Sequence, residues 1–172
     1  MSFFRYIFLI TILVGSTSIG FLLSKSYEER LKELKNILNL VNILKNKIMF
    51  TKKPLGELLE EISEIERKNE ISKIFIKTAE KLKKESFEKA WQDALYEETF
   101  FLNLKKEDIR LLETFGNMMG KTDIEGQINE INQFLILLNG QISNAEEEKN
   151  KNTKMYKSLG TIIGLGIVVI LF

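Results

Sequence analysis

Two apolar runs, one toward each end of the chain, limit what it can fold into more than anything else in the sequence. Residues 3–23, FFRYIFLITILVGSTSIGFLL, carry a single charge, Arg5, and from Ser158 to Phe172 there is none. As a helix, about 20 apolar residues at ~1.5 Å each cross a hydrocarbon core of about 30 Å. The second run is shorter, about 22–27 Å, but Lys154 and Lys157 can snorkel and Tyr156 suits the headgroup level. Two other structures pass the same test. The second can be a buried core helix. The first can be a cleavable signal peptide, with Arg5 as its basic end and Ser16-Thr17-Ser18 at the cleavage site. The presence of two such runs favours membrane over core. Apolar character resumes at Ile19, Phe21, Leu22 and Leu23, past that site, which favours an uncleaved anchor.

Small residues recur inside both runs at the spacing that lets helix backbones approach closely. Ser16 and Gly20 form one such pair, and Gly160 and Gly164 form a G-x-x-x-G. These four are the candidates for helix packing in the membrane. The flanks set an orientation. Lys25, Arg30, Lys32 and Lys35 follow the first run, and Lys149, Lys151, Lys154 and Lys157 precede the second. Excess Lys/Arg beside a span marks the cytoplasmic face. The expected division is therefore an N-terminal transmembrane anchor over 1–24, a cytoplasmic helical domain over 25–157, and a C-terminal transmembrane helix over 158–172.

Between the runs the pattern is helical. Tyr27, Leu31, Leu34, Leu38, Val41 and Ile48 recur at spacings of four and three, with Lys45 interrupting. The stripe suits either a bundle core or a partner helix. No Gly or Pro separates it from the first run, so the two can be one helix. Pro54, the single proline, opens a second helix reaching about Arg67, with Leu55, Leu58, Leu59, Ile62 and Ile65 inward. A third covers about 70–84 through Ile71, Ile74, Phe75, Thr78 and Leu82. Ser86 caps a fourth carrying Phe87, Ala90, Trp91, Ala94, Leu95 and Glu98, where the single Trp reads as core. A fifth starts at Lys105–Asp108 and ends near Phe115-Gly116, and Gly116 and Gly120 suit helix ends or turns. Thr122 or Asp123 caps the last, with Ile124, Ile128, Ile131, Leu135, Leu138, Ile142 and Ala145 on one side. Gly126 and Gly140 each weaken that helix by up to ~1 kcal/mol. The fold class is all-α: a bundle of about six helices in the soluble domain, flanked by N- and C-terminal transmembrane helices.

Composition removes most chemistry. Lys+Arg 25 against Asp+Glu 24 gives a net charge of +1, no footprint for nucleic acid. His and Cys are both absent. That removes the commonest general base, thiol nucleophiles, disulfides and cysteine-type zinc sites. The Gly-containing tail lacks the G-K-[ST] of a phosphate loop. Glu57, Glu60, Glu61, Glu64 and Glu66 read as a solvated face. No catalytic, cofactor or metal residue is assigned, and no enzyme activity is expected.

Several motifs, in order and spacing, resemble one family. They are Gly20, Tyr27-x-x-Arg30-x-x-x-Leu34, Ile48-x-x-x-x-x-Pro54-Leu55-x-Glu57, Ala90-Trp91-x-x-x-Leu95, Phe115-Gly116-x-x-x-Gly120-x-x-Asp123 with Gln127, and Ala145-Glu146 through Lys154-Met155-Tyr156-Lys157-Ser158-Leu159-Gly160. Together they resemble the stage III sporulation protein AB family of endospore-forming bacteria. The resemblance implies a subunit of the transenvelope complex between mother cell and forespore. It also implies a domain similar to the inner-membrane platform protein of type II secretion and type IV pilus systems, coupling a cytoplasmic ATPase to a channel. Its location would be the mother-cell-derived membrane around the forespore, facing the mother-cell cytoplasm. Arg30, Glu57, Asp123 and Gln127 are the candidate partner contacts, each with a local reading as helix pair, first-turn carboxylate or cap. Implied partners are other proteins of that complex, the bilayer, and a second copy of the chain. The rival reading is a membrane-anchored coiled-coil regulator that self-associates through its heptads.

Overall fold

The computed structural model describes residues 2–51, 53–65 and 70–171, with side chains except at Ser2, Phe3 and Arg5. Among these the chain forms six α-helices: α1 (Ser2–Phe50), α2 (Leu55–Ile65), α3 (Ser72–Lys81), α4 (Phe87–Glu98), α5 (Lys106–Met118) and α6 (Ile124–Leu171), with a 3-10 turn, Thr99–Phe101, after α4. No strand occurs among the described residues. The all-α class stands, and α1 and α6 each join an apolar run to a bundle segment in one unbroken helix. Glu66 and Arg67, expected in the second helix, lie outside the described residues.

The chain packs as two compact units, Met1–Leu31 with Asn144–Phe172, and Lys32–Ser143. In the second, α2 packs on α3, α3 on α4 and α4 on α5. Pro54 stands just before α2, and its carbonyl accepts the Leu58 N–H at 3.2 Å. Ser86 is extended (φ −66°, ψ 156°) and accepts from the Lys89 N–H, capping α4. The Lys105 N–H donates to Asp108 Oδ2 at 2.8 Å, so the α5 start is held by a carboxylate three residues on.

The core differs from the expected stripes in ways that have causes. On α1, Leu34, Ile37, Val41, Leu44 and Ile48 are buried, and Leu38 is only half-buried. Helix α1 is turned so that Ile37 and Leu44 take the inward places of Leu38 and Lys45, which spares the charge from burial. Ile65 is exposed rather than inward; Ser63 is buried instead and bonds the Glu60 carbonyl at 2.7 Å. Ile124 is exposed, because the buried stripe of α6 starts at Ile131 and runs through Phe134, Leu138 and Ile142.

Trp91 is the hub. Its ring makes edge contacts with Phe75 (5.3 Å between centroids) and Phe115 (5.1 Å) and stacks on Phe87 (5.8 Å). Phe115 continues the cluster to Phe134 on α6 at 4.6 Å. The indole N–H donates to the Leu112 carbonyl at 2.8 Å, satisfying the one polar atom of a fully buried ring. This explains Gly116, which lies inside α5 and not at its end as expected. A Cβ there would stand 2.3 Å from Trp91 Cδ1. Gly120 is the residue that turns the chain, with φ +81° just past the α5 C-cap Met119.

Candidate functional site

In the unit formed by Met1–Leu31 and Asn144–Phe172, the four small residues of the apolar runs meet in one seam. A Cβ on Gly20 would lie 2.5 Å from the Tyr156 carbonyl oxygen and 3.0 Å from Gly160 Cα. One on Gly160 would lie 2.9 Å from the Ser16 carbonyl oxygen. Gly164 faces Leu13 and Ser16 at 3.0 and 3.3 Å by the same measure. Ser16 Oγ donates to the Gly160 carbonyl at 2.6 Å, a bond that ties the two helices directly. Backbones this close leave no room for larger side chains.

The seam continues toward the polar flank. Tyr27 stacks on Tyr156 with centroids 5.8 Å apart. The Lys157 ammonium lies over the Phe21 ring at 5.4 Å and pairs with Glu28 at 3.5 Å. Arg30 is 4% exposed, and its Nη1 donates to Glu148 Oε2 at 2.7 Å. The guanidinium was expected at an exposed partner surface; here it is buried and joins α1 to α6. Ser24 is also buried, its hydroxyl without a hydrogen-bond partner among the described residues.

The other candidates fall in the second unit. Asp123 Oδ1 accepts the Gly126 N–H at 2.9 Å, and Gln127 Nε2 donates to the Thr122 carbonyl at 2.9 Å. Both side chains serve the start of α6, whose first turn also excludes a Cβ at Gly126, 2.7 Å from Thr122 Cβ. Glu57 is exposed in the first turn of α2 and makes no hydrogen bond or ion pair among the described residues. It lines an open groove of about 380 Å³ with Pro54, Ala79 and Leu82. Its neighbours in the acidic series are engaged: Glu60 pairs with Lys83 at 3.0 Å, and Glu61 accepts from Lys47 at 2.5 Å and from Lys53. Those two ammonium donors hold the Glu61 carboxyl down at about 2.

One buried carboxylate was not foreseen. Glu33 accepts the Asn103 N–H at 2.8 Å and its side-chain amide at 3.2 Å, fixing the chain after the 3-10 turn onto α1. Nothing in the local pattern marks it, because Glu33 sits among the charges of an amphipathic helix and its partner is 70 residues away.

Motif residues take part in each of these features: Gly20 and Gly160 in the small-residue seam, Tyr27 and Tyr156 in the Tyr pair, and Trp91 and Phe115 in the buried aromatic cluster. The family model described as "Stage III sporulation protein AB" matches residues 5–172. The chain belongs to the stage III sporulation protein AB family. Stage III sporulation protein AB of Bacillus subtilis (strain 168) is 30% identical over 162 residues, covering 93% of this chain and 94% of the relative. A solved structure of stage III sporulation protein AB (SpoIIIAB) has the same fold, with a TM-score of 0.66 at 24% identity over 72% of this chain and 98% of its own. Within this sporulation protein family, Gly20, Tyr27, Arg30, Trp91, Gly116, Tyr156 and Gly160 all have packing or pairing roles in the present chain.

Proposed function

We propose that this sporulation protein is a non-enzymatic membrane subunit of the transenvelope complex between mother cell and forespore. In that reading it is a platform, linking a cytoplasmic ATPase to the channel. Segments 1–24 and 158–172 anchor it in the mother-cell-derived membrane, and 25–157 face the mother-cell cytoplasm with the exposed Glu57 as a partner contact. The observation that carries this is the seam. Helices α1 and α6 are both long and apolar enough to cross a membrane, yet only 17% and 11% of their most apolar 18-residue windows are buried. A core helix of a water-soluble domain would bury most of such a stretch. Two bare apolar helices that interlock through Ser16, Gly20, Gly160 and Gly164 are what a membrane hairpin requires. The Lys-rich flanks supply the orientation.

The self-associating coiled-coil reading has less to act through. The inward stripes of α1 and α6 are buried within the Lys32–Ser143 unit. Two experiments test the proposal together. Deleting the gene should leave growth normal and abolish heat-resistant spores, with arrest after engulfment; full spore yield refutes it. The chain has no cysteine, so Lys84→Cys and Ser2→Cys report topology directly. Position 84 is exposed, and its labelling by an impermeant thiol reagent in intact cells would overturn the orientation.

A further inference from the structure

The Lys32–Ser143 unit carries a second surface that the proposal above does not use. Helices α4 and α5 border an open groove of about 490 Å³, lined by Asp93, Leu95, Tyr96, Ile109 and Glu113 among others. At one end Gln92 Nε2 donates to Asn117 Oδ1 at 2.8 Å, closing the two helices together. Three large aromatic side chains stand out at the α4 end. Tyr96 is 87% exposed and Phe100 90%, and Phe101 meets Phe100 edge-on at 5.6 Å. Bare aromatic surface of this kind is costly in water and marks binding sites.

Charge says what covers it. Two acids of α4 are ion-paired: Glu97 with Lys77 and Lys81 at 2.8 and 2.6 Å, and Glu98 with Lys77 at 2.5 Å. Toward its start, Glu88 pairs with Lys121 at 2.8 Å. The two acids that line the groove, Asp93 and Glu113, have no ion pair or hydrogen bond among the described residues, and no Lys or Arg lines it. The other acids of α4 are all ion-paired, whereas Asp93 is reached by the Lys81 ammonium only at longer range, and it lines the opening together with Glu113 of α5. The groove therefore presents two negative charges beside a tyrosine face, a setting suited to an ammonium or guanidinium and to an apolar anchor next to it.

We propose that the α4–α5 groove docks a basic amphipathic segment of another protein, with Lys or Arg side chains set against Asp93 and Glu113 and an apolar side chain against Tyr96 and Phe100. This deepens the partner role proposed above and rests on it only for its setting, the sporulating cell.

The test places the photoreactive residue p-benzoylphenylalanine at position 96, and at the exposed position 80 as a control, in the full-length chain as the cell's sole copy. The expected result is an adduct from position 96 and not from 80, in which mass spectrometry finds a Lys- or Arg-containing peptide of a different protein. Reversing both charges, Asp93→Lys with Glu113→Lys, should cut its yield at least about fivefold. The neutral pair Asp93→Asn with Glu113→Gln should give an intermediate yield, and an unchanged melting temperature excludes misfolding. Absence of an adduct overturns the proposal. So does an adduct with lipid, with a second copy of this chain, or with a segment lacking basic residues, or one indifferent to charge reversal. Spore counts in the same strains report separately on the proposed function: spores formed without an adduct remove the groove and leave the platform reading standing.

Discussion

Substituting Gly116 by alanine is the sharpest challenge to the packing described for the bundle. On an exposed helix Gly→Ala is stabilising, by about 1 kcal/mol from helix propensity. Here the added methyl would lie 2.3 Å from Trp91 Cδ1 and 3.0 Å from Cγ, contacts that real atoms do not sustain. The indole cannot step aside freely. Phe75, Phe87 and Phe115 enclose it, and its N–H is committed to the Leu112 carbonyl, one helical turn before Gly116. Overpacking of this kind costs about 1–3 kcal/mol, and weakening the indole hydrogen bond adds about 1 kcal/mol. Against a propensity gain of about 1 kcal/mol, the net is a loss of about 1–3 kcal/mol. That corresponds to a fall in melting temperature of at least about 4 °C for a unit of this size. Trp91 fluorescence followed through thermal unfolding of the full-length chain in detergent is the assay, since the single Trp reports this unit alone. Gly140→Ala is the matched control: no atom lies within 4 Å of a Cβ there, so it should stabilise by about 0.5–1 kcal/mol. Equal or greater stability for Gly116→Ala would refute the claim that Trp91 excludes a side chain.

Three further outcomes are expected. In the cysteine-free chain, Leu13→Cys with Gly164→Cys should oxidise to an intrachain disulfide, because a Cβ on Gly164 stands 3.4 Å from Leu13 Cα; Gly160→Leu added to that pair should lower the yield, and products linked only between chains would count against the seam. Arg30→Ala should destabilise the α1–α6 pair by about 1.5–3 kcal/mol, and the exchange Arg30→Glu with Glu148→Arg should recover part of it; additive losses in that double-mutant cycle would mean the 2.7 Å contact does not couple the helices. The lowered Glu61 carboxyl makes its contribution above its ordinary value near 4.5 and loses it as pH falls toward about 2. The stability gap between wild type and Glu61→Gln, followed by denaturation at each pH, should therefore be constant above about pH 5 and close below it. A gap that grows on acidification would reverse the assignment.

What could be read in the sequence was whatever depends on neighbours along the chain. The helices, the Ser86 and Asp123 caps, the two apolar runs and their small-residue pairs all follow from local periodicity and backbone chemistry. So did the continuity of α1, since nothing between Leu23 and Phe50 breaks a helix. The family motifs were legible as well, although their reasons were not. Arg30 looked like a surface contact because its partner, Glu148, lies 118 residues away, and burial of a charge cannot be judged without the group that neutralises it. Gly116 looked like a helix end because glycine usually marks one, whereas here a distant indole needs its space. The rotation of α1 that exchanges Leu38 and Lys45 for Ile37 and Leu44 was a choice between two stripes sharing Leu34, Val41 and Ile48. Only the surfaces packed against the helix decide between them. Local physics determined the elements of this protein; contacts between residues far apart in the chain decided which faces are hidden, and so which side chains are left to meet a partner.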